Sequence, residues 1–104
     1  MELTVIARAK AKPGREGDVE KELRRCVGPT HKEAGCLRYA IHRGADDPQT
    51  FVVVERWKSK EALDEHLRSE HVQKLFSAMG ALLAGPAEIL SYQLLPEGGE
   101  KGTF

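Results

Sequence analysis

Four residues with chemically active or aromatic side chains surround one short passage of the sequence, from Glu55 to His71. Glu55 and Trp57 end an apolar run, and His66 and His71 follow on the next segment. A carboxylate and an imidazole held together can accept and return a proton, and an indole can orient a planar aromatic molecule. These residue types predict either a polar site lining an apolar cavity or ordinary residues at the ends of elements.

The apolar run at residues 51–54 is typical of a buried strand. Alternate side chains of a strand point to the same face of the sheet. Phe51, Val53, Glu55 and Trp57 share one face because side chains alternate along a strand. His66 lies on the apolar stripe of the helix predicted next, so it should point towards that face. A buried carboxylate costs several kcal/mol unless it is paired, so Glu55 needs a partner in this layer or an arginine at the sheet edge.

A hairpin brings a phenol to the same place. Two alternating runs flank the loop at residues 44–49, which is rich in Gly, Asp and Pro and is typical of a hairpin connection. The simplest register places Tyr39 opposite Glu55 and Leu37 opposite Trp57. The sequence therefore predicts that Tyr39 joins the carboxylate, the indole and the imidazole.

The elements that must position these residues follow from hydrophobic periodicity. Strands are predicted at residues 3–11, 36–43, 50–57 and 87–95, and helices at 15–27, from 60 and from 70. Gly28-Pro29 predicts a kink or break in the first helix, and Ser59 and Ser69 are expected N-caps of the other two. This order predicts an α+β domain, a ferredoxin-like four-stranded antiparallel sheet with helices on one face.

The opposite face of that sheet is predicted to need a cover. It would carry Ile6 and Val54 beside Arg8 and Arg56, a mixed apolar and charged surface. The simplest cover is the same surface of a second copy, which predicts a homodimer with its sheets face to face. At 104 residues the chain should form one domain, residues 1–95, followed by a flexible tail, residues 96–104.

Composition excludes several function classes. Sixteen basic and 16 acidic residues give a net charge of zero, so no concentrated basic face is expected for nucleic acid or a membrane surface. Two cysteines are too few for a disulfide framework, and no apolar run reaches the roughly 20 residues of a membrane span. These features predict a cytoplasmic protein.

No cofactor motif is recognisable. His66 and His71 are five residues apart, which is not the spacing that places two imidazoles on one helix face, and no HExxH or CxxC pattern occurs. Glycine-rich phosphate loops and the Gly-x-Ser-x-Gly pattern are absent too. The sequence therefore predicts neither a metal site nor a nucleotide cofactor.

Two motifs together resemble the antibiotic biosynthesis monooxygenase family. They are Pro29-Thr30-x-x-Glu33-x-Gly35-Cys36-Leu37-x-Tyr39 and Phe51-x-x-x-Glu55-x-Trp57 followed by His66 and His71, and the likeness extends from Leu3 to about Leu95. The small single-domain members of the quinol monooxygenase type look most similar. The resemblance implies a dimeric α+β barrel whose protomers oxidise phenolic or quinol substrates with dioxygen, without metal, flavin or haem.

The resemblance also implies roles for individual residues. His66 would be the base that helps to ionise the substrate, Trp57 and Tyr39 would orient its rings, and Glu55 would hold a hydroxyl or position His66. The substrate would also be bound by four further residues, Phe51, Val53, His71 and Phe76.

The same superfamily includes enzymes with other activities. Haem-degrading members use an asparagine and a histidine, and the positions that align with them hold Ala7 and Phe76, so haem degradation is not expected. Two alternatives stay open. One is a non-catalytic small-molecule-binding or stress-response dimer, and the other is an isomerase of a small phosphorylated metabolite.

Overall fold

The strands and helices follow the predicted order. A computed structural model describes residues 1–104. The elements are β1 (Leu3–Lys10), α1 (Glu16–His31), β2 (Cys36–Arg43), β3 (Thr50–Trp57), α2 (Lys60–Arg68), α3 (Glu70–Leu82) and β4 (Glu88–Tyr92), with a single 3₁₀ turn at Glu100–Gly102. None of the helices combines the length and the apolar composition that crossing a bilayer requires.

The four strands form one antiparallel sheet in the order β2-β3-β1-β4. This order is the ferredoxin-like one, and the prediction of an α+β fold of this kind is confirmed. The core joins the odd-numbered side chains of β1 and β3, such as Val5 and Val53, to helical residues such as Leu23 and Leu63. The chemically active residues of β3 share that parity, so they lie on the helix-covered face.

The hairpin register is confirmed at one end and wrong at the other. Tyr39 pairs with Glu55 as predicted. Trp57 pairs with Cys36 instead of Leu37, because an irregularity between Cys36 and Arg38 shifts the register of β2. An extra residue in one strand of a pair has this effect, and it is seldom readable from sequence.

The first helix and the last strand differ from their predicted bounds. Helix α1 does not break at Gly28-Pro29 but continues to His31. Pro29 lies in the last turn, so α1 loses the hydrogen bond to the carbonyl four residues before it and continues for only two residues more. The carbonyls of Pro29 and Thr30 accept from Lys32 and Glu33, which tightens the exit from α1. Strand β4 is shorter than predicted, at Glu88–Tyr92.

Serine caps define the passage from β3 into the two remaining helices. The Ser59 hydroxyl accepts from the Ala62 amide at 3.1 Å, and the Ser69 hydroxyl accepts from the Val72 amide at 3.4 Å. Both predicted N-caps are therefore confirmed. Ser69 has an extended backbone between α2 and α3, so the chain changes direction there.

Two glycine substitutions should shift stability in opposite directions. A methyl group at Gly35 would overlap the side chain of Ala62, whereas nothing lies within 4 Å of the corresponding position at Gly80 inside α3. Gly35→Ala should lower the free energy of unfolding by about 1–3 kcal/mol. Gly80→Ala should raise it by about 0.5–1 kcal/mol, because alanine favours helix. Urea unfolding of both variants checks the packing of α2 against the turn after α1, and equal effects would contradict it.

Candidate active site

An apolar cavity of about 420 Å³ lies between the helix-covered face of the sheet and the last two helices. Fourteen of its 20 lining residues are hydrophobic, so it suits an apolar guest. Three residues predicted to bind substrate, Phe51, Val53 and Phe76, line it. Phe76 and Ile89 are each 40% exposed, which places them where the cavity meets solvent.

Few titratable side chains line this cavity. They are Tyr39, Glu55 and His66, together with Arg8, which is an exposed partner of Glu88. Glu55 comes from the helix-covered face of β3, and His66 comes from the buried stripe of α2. Strand parity and helical periodicity therefore bring the predicted carboxylate and imidazole to one wall of an apolar space.

Glu55 is buried and has one hydrogen-bond donor. Glu55 is only 5% exposed, and its Oε1 accepts a hydrogen bond from Trp57 Nε1 at 2.9 Å. The alternative partner considered for it, an arginine at the sheet edge, is not present. His66 Nε2 lies 4.0 Å from the same oxygen, which is too long for a hydrogen bond and leaves room for a third atom near both.

Burial moves the pKa values of this pair in opposite directions. Burial raises the pKa of Glu55 to about 7, an effect that the Trp57 N–H partly opposes and the charge of Glu33 increases. Burial also lowers the pKa of His66, although a hydrogen bond with Glu33 acts the other way. Near neutral pH, the imidazole is therefore neutral and the carboxyl group exists in both protonation states.

Glu33, which was not among the predicted site residues, orients His66. Its Oε2 lies 2.7 Å from His66 Nδ1. A carboxylate can only accept, so Nδ1 carries the proton, and Nε2 of the neutral ring is left as an acceptor. That acceptor is the nitrogen nearest to Glu55. Glu33 follows the end of α1, 33 residues before its partner, so periodicity does not point to it, and the one signal in the sequence is its place in the motif that ends at Tyr39.

His71 meets His66 on the same carboxylate. Its Nε2 lies 2.8 Å from Glu33 Oε2, and the two imidazole rings are 6.0 Å apart. Their five-residue spacing would separate them on one helix, but the change of direction at Ser69 brings them together. His71 does not line the first cavity. It opens onto a second hollow of about 490 Å³, which residues of α1 and α3 line.

Trp57 supports the site from behind. Its side chain is fully buried on the same side of the sheet as His66, and the two rings are 4.4 Å apart with a tilt of 37°. However, Trp57 does not line the cavity. In this geometry it holds Glu55 and packs on His66, instead of stacking on a guest molecule as the resemblance implied.

Tyr39 lines the cavity with its ring, but its hydroxyl is occupied elsewhere. The ring lies 5.5 Å from that of His66 in an edge-on arrangement. The hydroxyl donates to Cys26 Sγ at 3.8 Å and not to Glu55, the partner considered in the sequence. Burial, with this contact, raises the pKa of Tyr39 far above its usual range. Tyr39 is therefore a neutral wall of the cavity.

The positions that align with the haem-binding residues of the superfamily also lie in this cavity. Ala7 and Phe76 both line it. Neither side chain has an atom that can bind iron.

Comparisons with known proteins bear on the family and on the fold. The family profile for antibiotic biosynthesis monooxygenase matches residues 2–78. Rv0793 of Mycobacterium tuberculosis, which has a provisional monooxygenase name, is 33% identical over 87 residues, 84% of this chain and 85% of that protein. Its solved structure superposes with a TM-score of 0.88 at 31% identity, over 95% of this chain and all of that one.

Two further similar proteins extend the comparison. The crystal structure of PA3566 from Pseudomonas aeruginosa superposes with a TM-score of 0.85 at 36% identity, over 90% of this chain and 94% of that one. An uncharacterized protein of Synechocystis, sll1783, is 26% identical over 92 residues. Those residues are 88% of this chain but 63% of the Synechocystis protein, so the chain spans less than two thirds of that relative.

Proposed function

Because the chain belongs to the antibiotic biosynthesis monooxygenase family, we propose that it is a monooxygenase that oxidises a quinol-like or polyphenolic aromatic with dioxygen. The observation that carries the proposal is the apolar cavity of about 420 Å³ that ends at His66 and Glu55. Such a space suits a planar aromatic guest and apolar dioxygen. The reaction needs no added cofactor, since the substrate itself supplies the electrons.

The polar wall of the cavity fits a substrate hydroxyl. An oxygen atom beside the gap between His66 Nε2 and Glu55 Oε1 can lie about 2.8 Å from each of them. It donates its proton to Nε2 and accepts from the protonated form of Glu55. The aromatic ring then extends between the apolar side chains, in contact with Phe51 and Val53.

His66 makes the substrate a better electron donor. A phenol ionises near pH 10, about the value for tyrosine, so it needs a nearby proton acceptor at neutral pH. His66 Nε2 takes the proton, and the carboxylate of Glu33 beside Nδ1 stabilises the imidazolium that forms. The resulting phenolate transfers an electron to dioxygen far more readily than a phenol does.

The atoms and electrons balance for a hydroquinone. Hydroquinone and O₂ give hydroxyquinone and water, and the substrate loses four electrons. The phenolate and O₂ form a peroxide at a ring carbon, and His66 returns its proton to the outer oxygen. His66, neutral again, takes the proton from that carbon while the O–O bond breaks, and it then passes the proton to the departing hydroxide, whereas Glu55 stays protonated throughout. One oxygen atom stays on the ring.

Oxygen uptake tests the proposal. The protein is mixed with a panel of hydroquinones and anthrones in buffer that contains a strong chelator, and oxygen consumption is followed with and without protein. Saturable consumption above autoxidation is expected for at least one substrate. If every substrate reacts at its uncatalysed rate while some still raise the melting temperature, the cavity only binds, and the non-catalytic alternative is favoured.

We also propose that the protein is a homodimer through the outer face of the sheet. Ile6, Leu90 and Tyr92 are large apolar side chains that are exposed on this face, and Ile6 and Leu90 are neighbours across β1 and β4. Partly exposed Val52 and Val54 extend the patch onto β3. A contiguous apolar patch of this kind supports association, and an identical face is the simplest partner.

Val54→Asp should dissociate this dimer. The substitution places a charge inside the proposed contact without a partner, which costs several kcal/mol of association free energy. Light scattering at micromolar concentration should give the mass of two chains for the wild type and one for the variant. Glu97→Gln in the C-terminal segment is a suitable control that should keep the wild-type mass. A wild type with the mass of one chain would contradict the proposed dimer.

A further inference from the structure

We propose that Glu33, His66 and His71 form a binding site for one divalent transition-metal ion of the Zn²⁺ class, and that the bound ion inhibits the oxidation. The three ligand atoms, one from each residue, all lie within 4.8 Å of one another. Binding is independent of the proposed function. The inhibition rests on it, because it assumes that His66 is the proton acceptor.

The donor set comes from three separate segments that converge. Glu33 belongs to the turn after α1, His66 to the last turn of α2 and His71 to the first turn of α3. Ser69 fixes the junction that carries the two histidines, since it caps α3 and also donates to the carbonyl of His66 at 2.6 Å. The Glu33 amide donates to the carbonyl of Thr30 at 3.0 Å, which fixes the turn after α1. The ligands are therefore pre-positioned, which lowers the entropic cost of binding an ion.

The chemistry of these atoms selects the class of ion. Two imidazole nitrogens and one carboxylate oxygen suit zinc and neighbouring first-row metals, whereas calcium and magnesium prefer oxygen ligands alone. The Ser69 hydroxyl oxygen lies 3.2 Å from His71 Nε2, so it is a further oxygen atom next to the three ligand atoms. Water can complete the coordination from the solvent side.

The site faces away from the substrate cavity. Neither Glu33 nor His71 lines that cavity, whereas His71 lines the second hollow of about 490 Å³ between α1 and α3. Glu70 and Lys74 also line this hollow, and their charges are paired with each other at 3.3 Å. An ion can therefore reach the three ligands without passing the substrate.

Metal binding changes which nitrogen of His66 holds the proton. Without an ion, Nδ1 donates to Glu33 and Nε2 is free to accept a proton. An ion on Nδ1 needs the lone pair of that nitrogen, so the proton of the neutral ring moves to Nε2. His66 then presents an N–H to the cavity and can no longer accept the hydroxyl proton. The ion therefore blocks the first step without occupying the substrate position.

Competition with a chromophoric chelator tests binding without any substrate. Wild-type protein titrated with Zn²⁺ should bind one ion per chain. Glu33→Gln and His71→Asn should each weaken binding by more than about 100-fold, since losing even an outer partner of a metal ligand costs about 10–100-fold. His42→Asn on the outer face of the sheet and Glu70→Gln in the second hollow are matched controls that should bind like the wild type.

Spectroscopy with Co²⁺ identifies the ligands. Co²⁺ in the wild type should give visible d–d bands without a sulfur-to-metal charge-transfer band, and these bands should disappear in His71→Asn. A charge-transfer band that persists in His71→Asn would place the ion on a cysteine and overturn the proposal. Equal Zn²⁺ affinity of the wild type and of both site variants would overturn it as well.

Inhibition is measured separately, on a substrate that the wild type oxidises. Zn²⁺ at saturating concentration should reduce the oxygen uptake of the wild type by more than about 10-fold, and excess chelator should restore it. The residual activity of His71→Asn should require at least about 10-fold more Zn²⁺ for the same fractional loss. Tight binding without loss of activity would overturn the inhibition and leave the proposed oxidation intact.

Discussion

Replacing His66 by alanine should lower the rate of substrate-dependent oxygen uptake by about 10²–10⁴-fold, the usual contribution of a general base. The Nε2 atom of His66 faces the cavity beside Glu55, and Nδ1 is held by Glu33, so the ring is fixed in the tautomer that accepts a proton. The measurement is the initial rate of oxygen consumption with and without the substitution, in the presence of chelator.

Chemical rescue separates this role from a structural one. Free imidazole can enter the space that His66→Ala leaves beside Trp57 and accept the proton in its place, so added imidazole should restore part of the rate. His42→Asn, on the opposite face of the sheet, is the control and should keep the wild-type rate. If His66→Ala oxidises every tested substrate as fast as the wild type, His66 is not the base.

The second large effect is on the pH dependence of stability, and it comes from Glu55. Burial raises the pKa of its carboxyl group from 4.5 to about 7 in the folded protein. The stability that the neutral group contributes is fully present below pH 4.5 and is lost as the pH rises towards 7. A shift of this size corresponds to about 3 kcal/mol.

Glu55→Gln isolates this effect because glutamine does not ionise. Its amide oxygen can still accept from Trp57 Nε1, so the packing is kept. At each pH, the free energy of unfolding of Glu55→Gln is compared with that of the wild type. This difference should increase by about 3 kcal/mol in favour of the variant from pH 4 to pH 8. Urea unfolding at fixed protein concentration, across this pH range and with chelator, measures the difference.

Glu97→Gln, which changes a carboxyl group on the exposed C-terminal segment, is the matched control and should show no comparable change with pH. A constant difference between Glu55→Gln and the wild type from pH 4 to pH 8 would mean that the carboxyl group is not held in an apolar environment. The polar wall of the cavity would then not have the character on which the proposed chemistry depends.

The sequence predicted the parts of the site that depend on strict periodicity. Along β3 the side chains alternate between buried and half-buried positions, so the shared face of Phe51, Val53 and Glu55 was readable. The position of His66 on the buried stripe of α2 was predicted for the same reason. The serine caps were also readable, because each is a local pattern followed by a helix.

The convergence around Glu33 was not predictable in this way. It depends on how the turn after α1 packs against the junction of α2 and α3, and no local pattern records that distance. The continuation of α1 to His31 matters here, because a break at Gly28-Pro29 would have moved Glu33. The spacing of His66 and His71 suggested two separate imidazoles, whereas the turn at Ser69 joins them on one carboxylate.

The depth of Trp57 was not predictable either. Parity placed it on the helix-covered face, which is where it lies. However, α2 begins three residues later and covers the end of β3, so the indole is enclosed by His66 and Glu55 instead of bordering the cavity. Parity assigns a face of the sheet, but it does not say which atoms cover that face.

The most direct test of the proposed monooxygenase chemistry is the fate of labelled dioxygen in a reaction with a hydroquinone or an anthrone. In ¹⁸O₂ and unlabelled water with chelator, the protein should produce a quinone that contains one ¹⁸O atom per molecule, as measured by mass spectrometry, at a rate that depends on His66. Product without ¹⁸O, with hydrogen peroxide accumulating instead, would contradict oxygen insertion at this cavity.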